Sequence, residues 1–290
     1  MNGLSSLIPQ SAPAARPAWP LRWIVVGSIL ACLATATAAD GPAVVEPLTI
    51  GLDATRLARI DGLVAAAIAA GETPGCVVCI GRRSGIGWLR AYGDRQLEPE
   101  PEAMTTDTIF DLASITKPVA TATAIMLLVE DGLVRLGDRV ATHLPDFTYH
   151  GKDQLTVQQL LTHQSGLIAD NPLADYEHGP AEAWKRICGL ELVAAPETEF
   201  IYSDVNFIVL GRLVEQLSGK PLARFTQERI FSPLGMIDTG YLPPPELRPR
   251  SAATEQRDGV WLRGEVHDPR AWKLGGVAGH AGLFGTGGDL

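Results

Sequence analysis

Apolar side chains recur at helical spacing from Leu52 to Ala70, at Leu57, Ile60, Leu63, Val64 and Ile68, and Gly71 stops the run. Pro74 to Ile80 is an unbroken apolar stretch and predicts a buried strand. Arg82-Arg83-Ser84-Gly85 predicts a turn, and Ile86 to Tyr92 a second strand that closes at Gly93. Phe110-Asp111-Leu112-Ala113 leads into a helix over Ser114 to Glu130, where Val119, Ala120, Ala122, Ala124, Ile125, Met126, Leu127 and Leu128 leave almost no polar face. A helix apolar all round belongs in the middle of a domain. Helices follow over Thr156 to Thr162, Asp204 to Leu217 and Pro221 to Ile230. Residues 241–268 read as irregular, and Gly275 to Gly285 is dominated by Gly, Ala and Val.

This order predicts an α+β chain, an α/β sandwich. An antiparallel sheet is flanked by helices, an all-helical lobe is inserted over roughly 132–268, and the active site lies between them. Residues 40–51 read as a linker, and residues 52–290 as the domain.

The first 39 residues differ from the rest. Arg16 and Arg22 precede an apolar run from Trp23 to Leu33, and small residues follow to Ala39. That is the layout of a secretory signal, with cleavage after Ala38 or Ala39, and it implies a periplasmic or secreted protein. An uncleaved anchor is the rival, although the run is shorter than the roughly 20 residues a spanning helix needs. Ile29-Leu30-Ala31-Cys32 also resembles a lipoprotein box, so membrane association would come only through the signal or a lipid on Cys32.

Cys76 and Cys79 share the first strand, where residues three apart face opposite sides. They read as small buried hydrophobes rather than a metal or disulfide pair. A net charge of -9 argues against a nucleic-acid partner, since a polyanion needs a basic face.

Three elements carry candidate chemistry. Ser114-Ile115-Thr116-Lys117 puts a serine at the start of the buried helix and a lysine one turn on, on the same face. A serine hydroxyl needs a neighbouring base to become a nucleophile, and the helix end offers N–H groups to an oxyanion. The plain alternative is a helix cap and a first-turn surface lysine. Tyr202-Ser203-Asp204 precedes a helix. Tyr202 could act as base or acid beside a lysine, or could simply pack, and Asp204 is a natural N-cap. His280-Ala281-Gly282-Leu283 puts small residues where a substrate could lie close to a strand, or is a Gly-rich turn with an incidental histidine. His267-Asp268 lacks further ligands at metal spacing, so neither a metal nor a cofactor is expected.

Together these elements resemble the serine β-lactamase and penicillin-binding-protein superfamily, on the branch of class C β-lactamases, DD-peptidases and related esterases. Leu160-Leu161-Thr162-His163-Gln164-Ser165-Gly166-Leu167 and the stretches 200–211, 230–240 and 275–285 are similar to that family too. The resemblance implies an acyl-enzyme on Ser114, with Lys117 and Tyr202 passing the proton. It places Asp204, His280, Gly282 and Leu283 at the substrate, with the N–H groups of Ser114 and Leu283 as the oxyanion hole. His163 reads as structural. Asp204 stands where an amide is usual and His280 where lysine is usual, which favours an esterase or D-alanyl carboxypeptidase over a dedicated β-lactamase. The substrate class is a small molecule or a peptidoglycan-derived ester, peptide or lactam. A catalytically silent peptidoglycan-binding or scaffold protein is the alternative. The family continues with further sheet strands, so the C-terminal part of the sheet is expected to be missing from this chain.

Overall fold

The computed structural model describes residues 41–290. The expected signal segment, residues 1–39, and with it Cys32, lie outside the described residues. Residues 43–50, expected as linker, are built into the fold. Val45 N–H donates to Ile86 O and Ile86 N–H to Ala43 O, both at 2.9 Å. Gly85 permits this approach, because a Cβ there would sit 2.9 Å from Ala43 O.

The first helix forms in two pieces, α1 (Ala54–Leu57) and α2 (Arg59–Ala69). Asp53 caps it by accepting the N–H groups of Thr55 and Arg56. β1 (Gly75–Arg82) and β2 (Gly85–Gln96) form an antiparallel hairpin with Cys79 opposite Leu89, and β3 (Glu102–Ala103) pairs with the other side of β2. Among the described residues β1 therefore pairs with β2 alone. Cys79 is exposed and Cys76 half-buried, which corrects the expectation of a buried strand. An apolar run is buried only where something covers it, and α2 contributes no buried side chain.

β4 (Phe110–Asp111) leads into a 3₁₀ turn over Ala113–Ile115, a π-helical segment over Lys117–Ala122 and α3 (Thr123–Glu130). The sequence predicts one uniform helix here. Pro118 supplies no N–H, and the ladder widens at that point before regular α-helix resumes. Ala120, Ala124, Ile125 and Leu128 are fully buried, whereas Ile115 and Met126 are about half exposed, so the helix does show one open face.

α4 (Val140–His143), α5 (Val157–Leu161), α6 (Pro180–Gly189), α7 (Asp204–Ser218) and α8 (Leu222–Thr226) build the lobe. Phe147, Leu160, Leu167, Tyr176, Ile187, Val209, Leu210 and Leu213 join α3 in one continuous core. A reciprocal cap between Thr156 and Gln159 starts α5.

β5 (Gly240–Tyr241) follows, and then a hairpin of β6 (Ala253–Arg257) and β7 (Val260–Arg263) where the sequence reads as irregular. Asp258-Gly259 joins its strands with φ of +53° and +80°, as the mirror-image two-residue turn requires. Arg263 grips Glu102 at 2.7 and 2.8 Å, which holds that carboxyl at about 2 despite its burial. After α9 (Pro269–Lys273), β8 (Leu283–Gly285) inserts between β4 and β5. The architecture is α+β, with antiparallel sheets beside a helical lobe.

Candidate active site

Ser114 is exposed at the turn that joins β4 to the helix. Lys117 is 3% exposed. Its Nζ donates to Ser114 Oγ at 2.8 Å and reaches the carbonyl of His280 at 3.4 Å. It forms an ion pair with Asp204 Oδ1 at 2.6 Å that lacks hydrogen-bond alignment. The same ammonium lies 4.7 Å from the ring centre of Tyr202. Tyr202 itself is half exposed. Ser114, Lys117, Tyr202 and Asp204 thus come together around one buried cation.

The Tyr202 loop is held from behind by His163. The Nδ1 of His163 accepts the Ser203 N–H at 3.0 Å, and its ring lies 4.6 Å from that of Tyr202. Burial and the nearby Lys117 charge push its pKa down, against the pull of Asp204. The ring is therefore a neutral acceptor, in keeping with a structural role. Ser203 rather than Asp204 caps α7, by accepting the Asn206 N–H. That leaves the Asp204 carboxylate for Lys117.

His280, Gly282 and Leu283 are placed differently from their expected roles. His280 is 1% exposed, and its Nε2 lies 3.0 Å from Asp268 Oδ1. Its carbonyl receives Lys117, while its buried ring turns to Asp268 instead of to an open cleft. Leu283 is fully buried, and its N–H donates to Thr116 Oγ1 at 3.1 Å. β8 is flanked by strands on both sides and offers no free edge there. The small residues answer to close backbone packing. A Cβ on Gly279 would sit 1.9 Å from Phe207 O, and one on Gly282 2.6 Å from Gly276 O. The oxyanion donor still available at the expected place is the Ser114 N–H.

Ligand atoms of Asp204, Asp268 and His280 lie within 4.8 Å of one another. By spacing they could hold a metal ion, yet Asp204 already faces Lys117, and Asp268 Oδ1 accepts from Ala271 N–H at 2.7 Å beside His280. Burial alone would raise the Asp268 carboxyl. The His280 hydrogen bond and charge, with the Ala271 N–H and Arg270, hold it at about 2 instead.

Two residues outside the expected set support the turn that carries Ser114. Asp111 Oδ1 accepts the Ala113 N–H, and His267 Nδ1 lies 2.9 Å from Asp111 Oδ2. The available signal was an aspartate two residues before Ala113, the spacing of a side-chain-to-backbone turn.

The model of the Beta-lactamase family matches residues 60–290. A protein of Escherichia coli K12, named provisionally as a D-alanyl-D-alanine carboxypeptidase, is 32% identical over 91% of this chain and 69% of its own length. The N-acetylmuramyl-L-alanine amidase of Bacillus subtilis 168 is 34% identical over 86% of this chain and 64% of its own. The chain thus spans about two thirds of the length of these curated relatives. Among solved structures, EstCE1, a hydrolase with promiscuous acyltransferase activity, superposes with a TM-score of 0.66 at 25% identity, over 80% of this chain and 70% of its own. The chain belongs to the Beta-lactamase family of serine hydrolases.

Proposed function

We propose that this chain carries the acylating centre of an exported serine hydrolase that acts on an alanyl amide or an ester through an acyl-enzyme on Ser114. The observation that carries this reading is an exposed Ser114 hydroxyl 2.8 Å from a buried lysine, itself paired with Asp204. Lys117 Nζ donates to Ser114 Oγ and polarises it, while the phenolate oxygen of Tyr202, on the open side, takes the Ser114 proton and returns it to the leaving group. The Ser114 N–H at the helix start receives the developing oxyanion. The names of the two curated relatives support an alanyl amide as substrate, and EstCE1 supports transfer to acceptors other than water. Export rests on the basic-apolar-small pattern of the first 39 residues.

A fluorophosphonate or a fluorescent penicillin should label the wild-type chain on Ser114, as read by intact mass. Ser114→Ala should lose the label and keep the fold. Tyr202→Phe should slow labelling by roughly 10²–10⁴-fold, the worth of a positioned proton-transfer group. An acyl adduct on Ser114→Ala would exclude this serine, and an unlabelled wild type would favour a silent binding protein. The mature N-terminus in the exporting cell, read by mass, tests cleavage near Ala39 against a lipid on Cys32.

A further inference from the structure

We propose that Asp111 is the positioning residue of the nucleophile turn, with His267 as its side-chain partner, given that Ser114 is the nucleophile. Asp111 is the last residue of β4, and its side chain is fully buried. Its oxygens divide the work. Oδ1 accepts the Ala113 N–H at 2.9 Å. Oδ2 accepts the backbone N–H of His267 at 2.9 Å and faces His267 Nδ1 at the same distance.

The turn between them needs this support. Ala113 has φ of +46°, a left-handed conformation that crowds a Cβ. β4 stays in the sheet through Asp111, opposite Phe284, and the Leu112 N–H still donates to Leu283 O. The helical turn bearing Ser114 starts at the very next residue. A buried carboxylate without a countercharge is costly. The His267 ring meets Asp111 Oδ2 at 2.9 Å, its pKa raised first by this hydrogen bond and further by the charges of Asp111, Asp268 and Glu255, while the Arg257 guanidinium binds the carbonyls of Val266 and His267. The next residue, Asp268, holds His280, whose carbonyl receives Lys117. Adjacent residues of one segment thus fix both halves of the Ser114–Lys117 couple.

The test follows the rate at which a fluorophosphonate phosphonylates Ser114, fluoride leaving as the P–O bond forms, as a function of reagent concentration. Asn at position 111 has one acceptor oxygen and cannot serve both Ala113 and His267. Asp111→Asn should lower the maximal rate by roughly 10²-fold, the cost of a misplaced reacting group, with the half-saturating concentration unchanged. His267→Gln should lower it by roughly tenfold, the worth of one hydrogen bond. Adding Ala113→Gly to Asp111→Asn should recover much of the loss, because glycine adopts the left-handed turn freely. Hydrogen exchange at the Ala113 and Ser114 amides should quicken in Asp111→Asn while α3 stays protected. Wild-type maximal rates in both single variants, or no recovery with Ala113→Gly, would overturn the proposal. So would loss of protection throughout α3 in both single variants, which marks a general structural role. If the wild-type chain itself is not phosphonylated, the hydrolase reading fails, and the exchange measurement still decides whether Asp111 holds the turn.

Discussion

The helical lobe and the N-terminal hairpin contain similar apolar side chains and use them differently. In the lobe, Ile125, Leu128, Leu160 and Leu210 are wholly removed from water. Beside the hairpin, α2 carries Ile60, Leu63, Val64 and Ile68 at helical spacing and buries none of them fully, with Leu63 71% exposed. Burial is a property of the pair of surfaces, not of one sequence segment. The lobe supplies several helices to each apolar face, whereas among the described residues β1 has a strand neighbour on one side only. The groups proposed for catalysis follow this division. Lys117, Tyr202 and Asp204 rest on the dense side, where Lys117 is almost wholly removed from water.

The comparison breaks most directly by removing side-chain volume from each region. Ile125→Ala should cost about 2–5 kcal/mol, as expected of a cavity in a packed core. Leu63→Ala should change stability by no more than about 0.5 kcal/mol. Denaturant melts of the two variants decide it, and equal losses would mean that α2 is covered in solution. Hydrogen exchange should agree, with β1 amides exchanging before those of α3 and α7.

Glycines sharpen the same contrast at a smaller scale. Gly279 packs against α7 with no room for a methyl group, since its Cβ would meet Phe207 O at 1.9 Å. Gly279→Ala should cost about 1–3 kcal/mol by overpacking. It should also slow acylation, because the displaced segment carries the His280 carbonyl that receives Lys117. Gly62, inside α2, has open space around it. Gly62→Ala should stabilise by about 0.4–1 kcal/mol through helix preference alone. Thermal melts of the two variants should move in opposite directions.

The local elements were legible where periodicity speaks alone. The hairpin turn at Gly85, the end of α2 just before Gly71 and the serine–lysine spacing at 114 and 117 all follow from residue type and position. What stayed hidden depended on the far side of a contact. The Gly/Ala run near 280 carries the same composition whether a substrate or another backbone lies against it, and only the position of α7 shows that it is backbone. His280 could not be told from a cleft residue until Asp268 was placed behind it. The β6–β7 hairpin was different, because Asp258-Gly259 is a recognisable turn signal. Its strands are short and mostly polar, and the alternation was too weak to register.

Two histidines give the smallest and most specific contrast, one on each side of the molecule. His267, beside β4, has its pKa raised, chiefly by the hydrogen bond to Asp111 and against burial. Its folded form prefers the proton, so it stabilises the fold fully below the ordinary histidine range and loses that contribution as pH rises through the raised value. His163, in the lobe, has its pKa lowered by burial first and by the Lys117 charge second. Its folded form prefers to be neutral, so its contribution is present above the ordinary range and is lost as pH falls toward the lowered value. Removing each should therefore tilt the stability profile in opposite senses. His267→Gln should flatten the gain on the acid side of neutrality, and His163→Gln should flatten the loss there. Melts across pH 5 to 8, roughly the range in which histidines titrate, measure both slopes. The same sign in both variants would mean that one ring is not in the charge state its neighbours favour. The one to doubt would then be His267, whose side chain remains 36% exposed to solvent and whose field is correspondingly screened.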